Sequence, residues 1–227
     1  MPKKNKNYYN RRSSSNNTRW IILIVAAVVI AAVAIIALAV KPLSPTAGVS
    51  FPAREMGSAS APVKVEEFAD FQCPYCALFH TTAEQQLKAQ YIQTGKVHFI
   101  FNNFPVVDSQ GGGNESHLAA LAALCAGDQG AFWDYHDYLF QNLGPENSGA
   151  LSTPRLESIA AQLNLNSATF GQCLSNQSHL DVLDADIQRG NSLGLNGTPS
   201  FFVNGRAVSV SQDFHELFTA IDNALGS

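Results

Sequence analysis

Cys73-Pro74-Tyr75-Cys76 is the stretch of this sequence best suited to chemistry. A thiolate is both a nucleophile and a metal ligand, so two cysteines with two residues between them serve either thiol–disulfide exchange or half of a zinc site. A closed zinc site takes four ligands, usually a second CxxC or suitably spaced histidines. No second CxxC follows, and Cys125 and Cys173 stand 48 positions apart. His80, His98, His117, His136, His179 and His215 are scattered without ligand spacing. Redox exchange is therefore the stronger reading, and no metal or cofactor is called for. The pair lies between a strand-like and a helix-like stretch. A helix start offers unpaired N–H groups and a positive dipole end, which lower the pKa of Cys73. Pro74 suits the first helical turn, and Cys76 is placed to resolve a mixed disulfide.

The elements around the motif follow from periodicity. Residues 63–69 alternate, with Val63, Val65, Glu67 and Ala69 on one face, and read as a strand. A helix runs from the motif to about Gln93, with Gly95 as its stop. Residues 96–101 alternate again. Stretches near 115–126, 130–142, 154–163 and 178–192 read as helices, with Pro154 in a first turn and Gly111-Gly112-Gly113 a flexible loop before them. Asn204-Gly205 between two apolar runs signals a hairpin, and a last helix spans 213–225 with Asp213 as its cap. The order is βαβ, a helical block, then ββα.

The N-terminal part differs in kind. Residues 1–41 hold seven of the chain's 14 basic residues and none of its 18 acidic ones, which leaves residues 42–227 with a formal net charge of −11. Such an acidic body repels phosphates and argues against a nucleic-acid partner. Residues 20–40 form an unbroken apolar run, about 30 Å long as a helix and enough to span a bilayer core. The basic leader puts residues 1–19 in the cytoplasm and the body outside. Ala37-Leu38-Ala39 offers a cleavage site, but the run is longer than the usual signal-peptide core. Residues 41–60, rich in Pro and Gly, read as a linker, with the folded body over 61–227.

Two motifs together, residues 63–76 ending in Cys73-Pro74-Tyr75-Cys76 and Gly197-Thr198-Pro199-Ser200-Phe201-Phe202-Val203-Asn204-Gly205, resemble the DsbA-like thiol:disulfide oxidoreductases, in particular their membrane-tethered bacterial branch. The resemblance implies an α/β thioredoxin fold with an inserted helical subdomain over about 114–193, here preceded by the N-terminal transmembrane helix. It implies that Pro199 is a cis-proline facing the disulfide, where an ordinary trans-proline opening a strand is the other reading. It gives Pro74, Tyr75, Thr198 and Pro199 contact with substrate. It makes Glu67 an acid beneath the active site that moves a proton to or from the buried cysteine, against the alternative of a solvated charge. Tyr75 departs from the His of the strongest oxidants in the family, which implies a milder oxidant. Thr198 also precedes the cis-proline of some isomerases and reductases. Cys125 and Cys173, an even pair in an exported body, are expected to form a structural disulfide, with two buried thiols as the alternative.

The sequence thus leads to a single-pass cell-membrane enzyme whose extracytoplasmic domain introduces disulfides into exported proteins through Cys73 and Cys76. A quinone-linked DsbB-like or VKOR-like membrane protein would reoxidise it. The alternatives are a reductase or isomerase of the same fold, or a thioredoxin-fold chaperone that binds without catalysis.

Overall fold

The computed structural model describes residues 20–26, 28 and 51–226. Residues 20–26 and 28 are helical and exposed. No helix among the described residues is long and apolar enough to cross a membrane. The tail over 1–19 and most of the expected anchor over 20–40 lie outside the described residues, as does the linker up to residue 50.

Five strands form one mixed sheet in the order β1 (Glu55–Met56), β3 (Val97–Asn103), β2 (Val63–Ala69), β4 (Ser200–Val203), β5 (Arg206–Val208). β2 and β3 are parallel, with Val63 opposite Val97 and Ala69 opposite Asn103, and the other pairs are antiparallel. The parallel pair needs a crossover, which the CxxC helix supplies. That crossover is α1 (Pro74–Thr82), a break at Ala83, α2 (Glu84–Leu87) and a π-turn over Lys88–Ile92. The sequence suggested one continuous helix here. Gly95, at φ +75°, ends it as expected.

β1 corrects the boundary at residue 61. Pro52–Arg54 forms a 3₁₀ turn, β1 pairs with β3, and Arg54 is buried in an ion pair with Asp186. The folded body thus already includes residues 51–60, which composition alone marks as linker. Pro and Gly report turn geometry, not exposure, and the burial of Arg54 carries no sequence signal.

Both faces of β2 are covered. Val63, Val65 and Ala69 join the main core, while Phe68 packs with Phe104 and Phe202 on the other side. The helical block comprises α3 (Val106–Gly111), α4 (Glu115–Gly127), α5 (Phe132–Gln141), α6 (Thr153–Gln162), α7 (Ser167–Ser175) and α8 (Leu180–Ser192). Residues Ala119–Ala126 of α4 are all buried, since α3, α5, α6, α7 and α8 pack around it. A helix apolar on all sides is a buried helix. The structure adds α3 and α7 to the helices read from sequence. α7 is capped by Asn166, whose side chain accepts from the Thr169 N–H at 3.0 Å. A disulfide joins Cys125 of α4 to Cys173 of α7, with Cα atoms 5.8 Å apart. The Asn204-Gly205 turn has positive φ at both residues, +48° and +77°, as a type I′ hairpin requires. α9 (His215–Leu225) starts later than sequence suggested. Its cap is Phe214 at φ +57°, and Asp213 instead accepts from the His215 N–H just beyond it.

A disulfide closing a loop of this size restrains the unfolded chain, which sets an expected outcome. Cys125→Ala/Cys173→Ala should lose about 2–4 kcal/mol of unfolding free energy in urea titrations, with Cys73 and Cys76 still reactive.

Candidate active site

β2 ends at Ala69 and the chain turns at Asp70 into α1. The turn is fixed by the Asp70 carboxylate, which accepts from the N–H groups of Gln72 at 2.8 Å and Val107 at 2.9 Å. The Cys73 N–H donates to the Asp70 carbonyl at 3.0 Å. Cys73 is the N-cap of α1, with Pro74 in the first turn and Cys76 inside it. The cysteines are in the dithiol state. Cys73 is 6% exposed and Cys76 is fully buried.

This placement separates their acidities. The Cys73 pKa falls from 9.0 to about 6. The Cys76 thiol, hydrogen-bonded to the Cys73 sulfur, is the main cause. Burial opposes the shift, and the Thr198 side chain and the N–H groups of Cys76 and Tyr75 reinforce it. In its protonated form the Cys73 thiol donates to the Thr198 carbonyl at 3.2 Å. Cys76 moves the other way: burial pushes its thiol well up, and the hydrogen bond and charge of Cys73 and the charge of Glu67 add to this. At neutral pH one sulfur is an anion and the other a thiol.

The Thr198–Pro199 bond is cis and leads directly into β4. β4 runs antiparallel to β2 with Phe68 opposite Ser200, which brings Thr198 and Pro199 to the end of β2 where the cysteines begin. Tyr75, 53% exposed, borders a cleft of about 250 Å³ with Thr198, Pro199, Val210, Ser211, Gln212 and Phe214. The structure thus gathers Cys73, Cys76, Pro74, Tyr75, Thr198 and Pro199 at one end of the sheet. Cys125 and Cys173 lie apart, in the helical block.

Glu67 is fully buried on β2. Burial raises its pKa, and the charge of His80 tempers the rise. His80 holds Glu67 at 3.1 Å through Nε2 and Glu84 at 3.2 Å through Nδ1. Burial disfavours the imidazolium, but the two carboxylates prevail and lift its pKa to about 9. The charge of His80 and the Lys88 ammonium at 2.8 Å bring Glu84 down to about 2 against burial. His136, whose ring centroid is 4.3 Å from that of His80, is pushed down to about 4 by burial and by the His80 charge. Sequence reasoning found Glu67 and missed its companions. The available signal was the i, i+4 spacing of His80 and Glu84; His136, on a distant helix, gave none.

A low-pKa thiolate over a buried thiol, at the end of a thioredoxin sheet and beside a proline loop, marks the class of DsbA-like protein thiol:disulfide oxidoreductases. The chain belongs to the thioredoxin family, whose profile matches residues 52–223. It is 32% identical over 176 residues to the probable disulfide bond formation protein D of Bacillus cereus, covering 76% of this chain and 78% of that one. It is 28% identical over 174 residues to disulfide bond formation protein D of Bacillus subtilis, covering 75% and 76%. Among solved structures, oxidised BdbD from Bacillus subtilis superposes with a TM-score of 0.69 at 24% identity, over 79% of this chain and 97% of that one. Alpha-DsbA1 of Wolbachia pipientis does so with a TM-score of 0.66 at 27% identity, over 76% and 90%.

The split acidities are directly measurable. Iodoacetamide should modify Cys73 of the reduced protein with a rate midpoint at about pH 6, while Cys76 stays unlabelled through neutral pH. A midpoint near the ordinary value of 9.0 would contradict the geometry above.

Proposed function

We propose that the chain works as a net oxidant of exported proteins, with Cys73 as the exchanging sulfur and Cys76 as its resolving partner. The observation that carries this reading is the pKa of about 6 at Cys73. Stabilising the thiolate stabilises the dithiol form, and a disulfide whose reduced form is stabilised is the better oxidant. In the forward reaction a substrate thiolate attacks Cys73 Sγ of the Cys73–Cys76 disulfide. That bond breaks, its electron pair leaves on Cys76, and Cys76 takes up a proton. A second substrate thiolate then attacks the substrate sulfur of the mixed disulfide, and Cys73 leaves as a thiolate. Two electrons have passed from substrate to enzyme. Glu67, buried on β2 and with its charge acting on Cys76, is assigned the exchange of the Cys76 proton.

The cleft beside Tyr75 suits an extended substrate segment, with Thr198 offering backbone groups and Pro199 and Phe214 apolar contact. The apolar run over 20–40 and its basic leader support a single-pass anchor with the domain outside the cell membrane. A quinone-linked DsbB-like or VKOR-like membrane protein then removes the two electrons.

Redox titration in glutathione buffers tests the direction. The potential should lie between the roughly −270 mV of thioredoxin and the roughly −120 mV of the strongest oxidant of the family. Because Tyr75 brings no positive charge, Tyr75→His should raise the potential and lower the Cys73 pKa further. A wild-type value near that of thioredoxin would make the chain a reductase. Carbonate extraction of membranes tests the anchor: the full-length chain should stay in the pellet, whereas a soluble product starting near Val40 would mean cleavage.

A further inference from the structure

Three buried side chains under α1 have an arrangement that thiol exchange does not explain. His80 and Glu84 come from one face of the broken helix and His136 from α5, and one ligand atom of each lies within 4.8 Å of the others. All three residues are buried. Each already has one atom engaged by an outer partner. His80 Nε2 meets the Glu67 carboxylate at 3.2 Å, His136 Nδ1 meets Asp137 at 2.8 Å, and Glu84 Oε2 accepts from Lys88 at 2.8 Å. Of the opposite atoms, His136 Nε2 is buried without a hydrogen-bond partner, and His80 Nδ1 and Glu84 Oε1 face each other in an ion pair at 3.2 Å.

A buried polar atom without a partner is uncommon in folded proteins, and His136 Nε2 lies within 4.8 Å of the His80–Glu84 pair, close enough for one cation to serve all three. Histidines that ligate a metal characteristically donate their other ring N–H to a carboxylate, and both histidines here do so, to Glu67 and Asp137. The 3.2 Å between His80 Nδ1 and Glu84 Oε1 is close to the edge of a tetrahedron, about 3.3 Å, for ligands about 2.0–2.1 Å from zinc. Two imidazoles and one carboxylate suit zinc and its transition-metal neighbours, whereas calcium and magnesium prefer all-oxygen sets. The carboxyl groups of Glu84 and Glu67 flank the site in a buried region, with the Lys88 ammonium on the outer oxygen of Glu84.

We propose that His80, Glu84 and His136 bind one zinc-class divalent cation, with a solvent molecule in the fourth position, and that the cation braces α1 against α5. The site is separate from the thiol pair and does not depend on the direction of thiol exchange.

Reduced CxxC pairs bind zinc themselves, so the test uses the full chain carrying Cys73→Ser/Cys76→Ser, with the Cys125–Cys173 disulfide intact. Titration with cobalt(II) should saturate at one equivalent and give the visible d–d bands of a tetrahedral site, with no thiolate charge-transfer band. Zinc should displace the cobalt and bleach the bands. Glu84→Gln keeps the volume and removes the ligand charge, and it should abolish the bands. Asp137→Asn alters only an outer partner and should weaken binding by roughly 10- to 100-fold. Circular dichroism of each variant separates lost ligation from lost fold. Absence of the bands in the folded parent, or bands unchanged in folded Glu84→Gln, would overturn the proposal and leave the cluster as an ion-paired core.

Discussion

Pairing of β4 with β2 is the constraint on which the rest of the active site depends. In the observed register Glu67 faces Phe201 and Phe68 faces Ser200. The residues just before β4 then fall beside those just after β2, where Cys73 begins α1. A slip of one residue would turn every side chain of β4 to the other face of the sheet. Phe201 would leave the main core, Phe202 would leave its contacts with Phe68, and the Thr198 carbonyl would move away from the Cys73 sulfur. Large aromatics on both faces fix the register, so packing on the sheet sets the chemistry of the thiol.

The covered strand has an electrostatic cost that the structure answers locally. Glu66 and Glu67 are adjacent, point to opposite faces and are both buried. Glu66 is met by Arg189 of α8 at 2.6 Å and by Lys64 at 2.8 Å. Glu67 is met by His80. A buried charge without a partner destabilises by several kcal/mol, so each acid needs its own cation. The cation chosen on each face differs in kind. Arg189 brings a guanidinium to Glu66, whereas His80 sits within a set of groups whose protonation is coupled.

Much of this was legible in the sequence, for reasons that particular residues make clear. Alternation revealed β2, Asn204-Gly205 revealed the hairpin, and Cys73 with Cys76 at a strand–helix junction revealed the site. What stayed hidden depends on long-range contact. α7 is short, and its cap Asn166 stands among other polar residues that also suit a loop. The 3₁₀ turn at Pro52–Arg54 belongs to the body because Asp186 waits for Arg54 far along the chain. Strict alternation led to one buried acid on β2, but helices on both faces bury two. His136 joins His80 through the packing of α5 on α1, which no local pattern encodes.

The order of the elements along the chain also bears on how the molecule is made. Cys73 and Cys76 are made well before the strand that completes their surroundings, since Thr198 follows Cys73 by 125 positions. Until Ser200–Val203 has been made, β2 lacks one neighbour, and Cys73 lacks Thr198, which helps hold its thiolate. Strands so far apart in sequence pair only after a long loop has closed, and such pairing is slow. A nascent chain therefore lacks one of the groups that hold the Cys73 thiolate until the strand that follows Thr198 has joined the sheet.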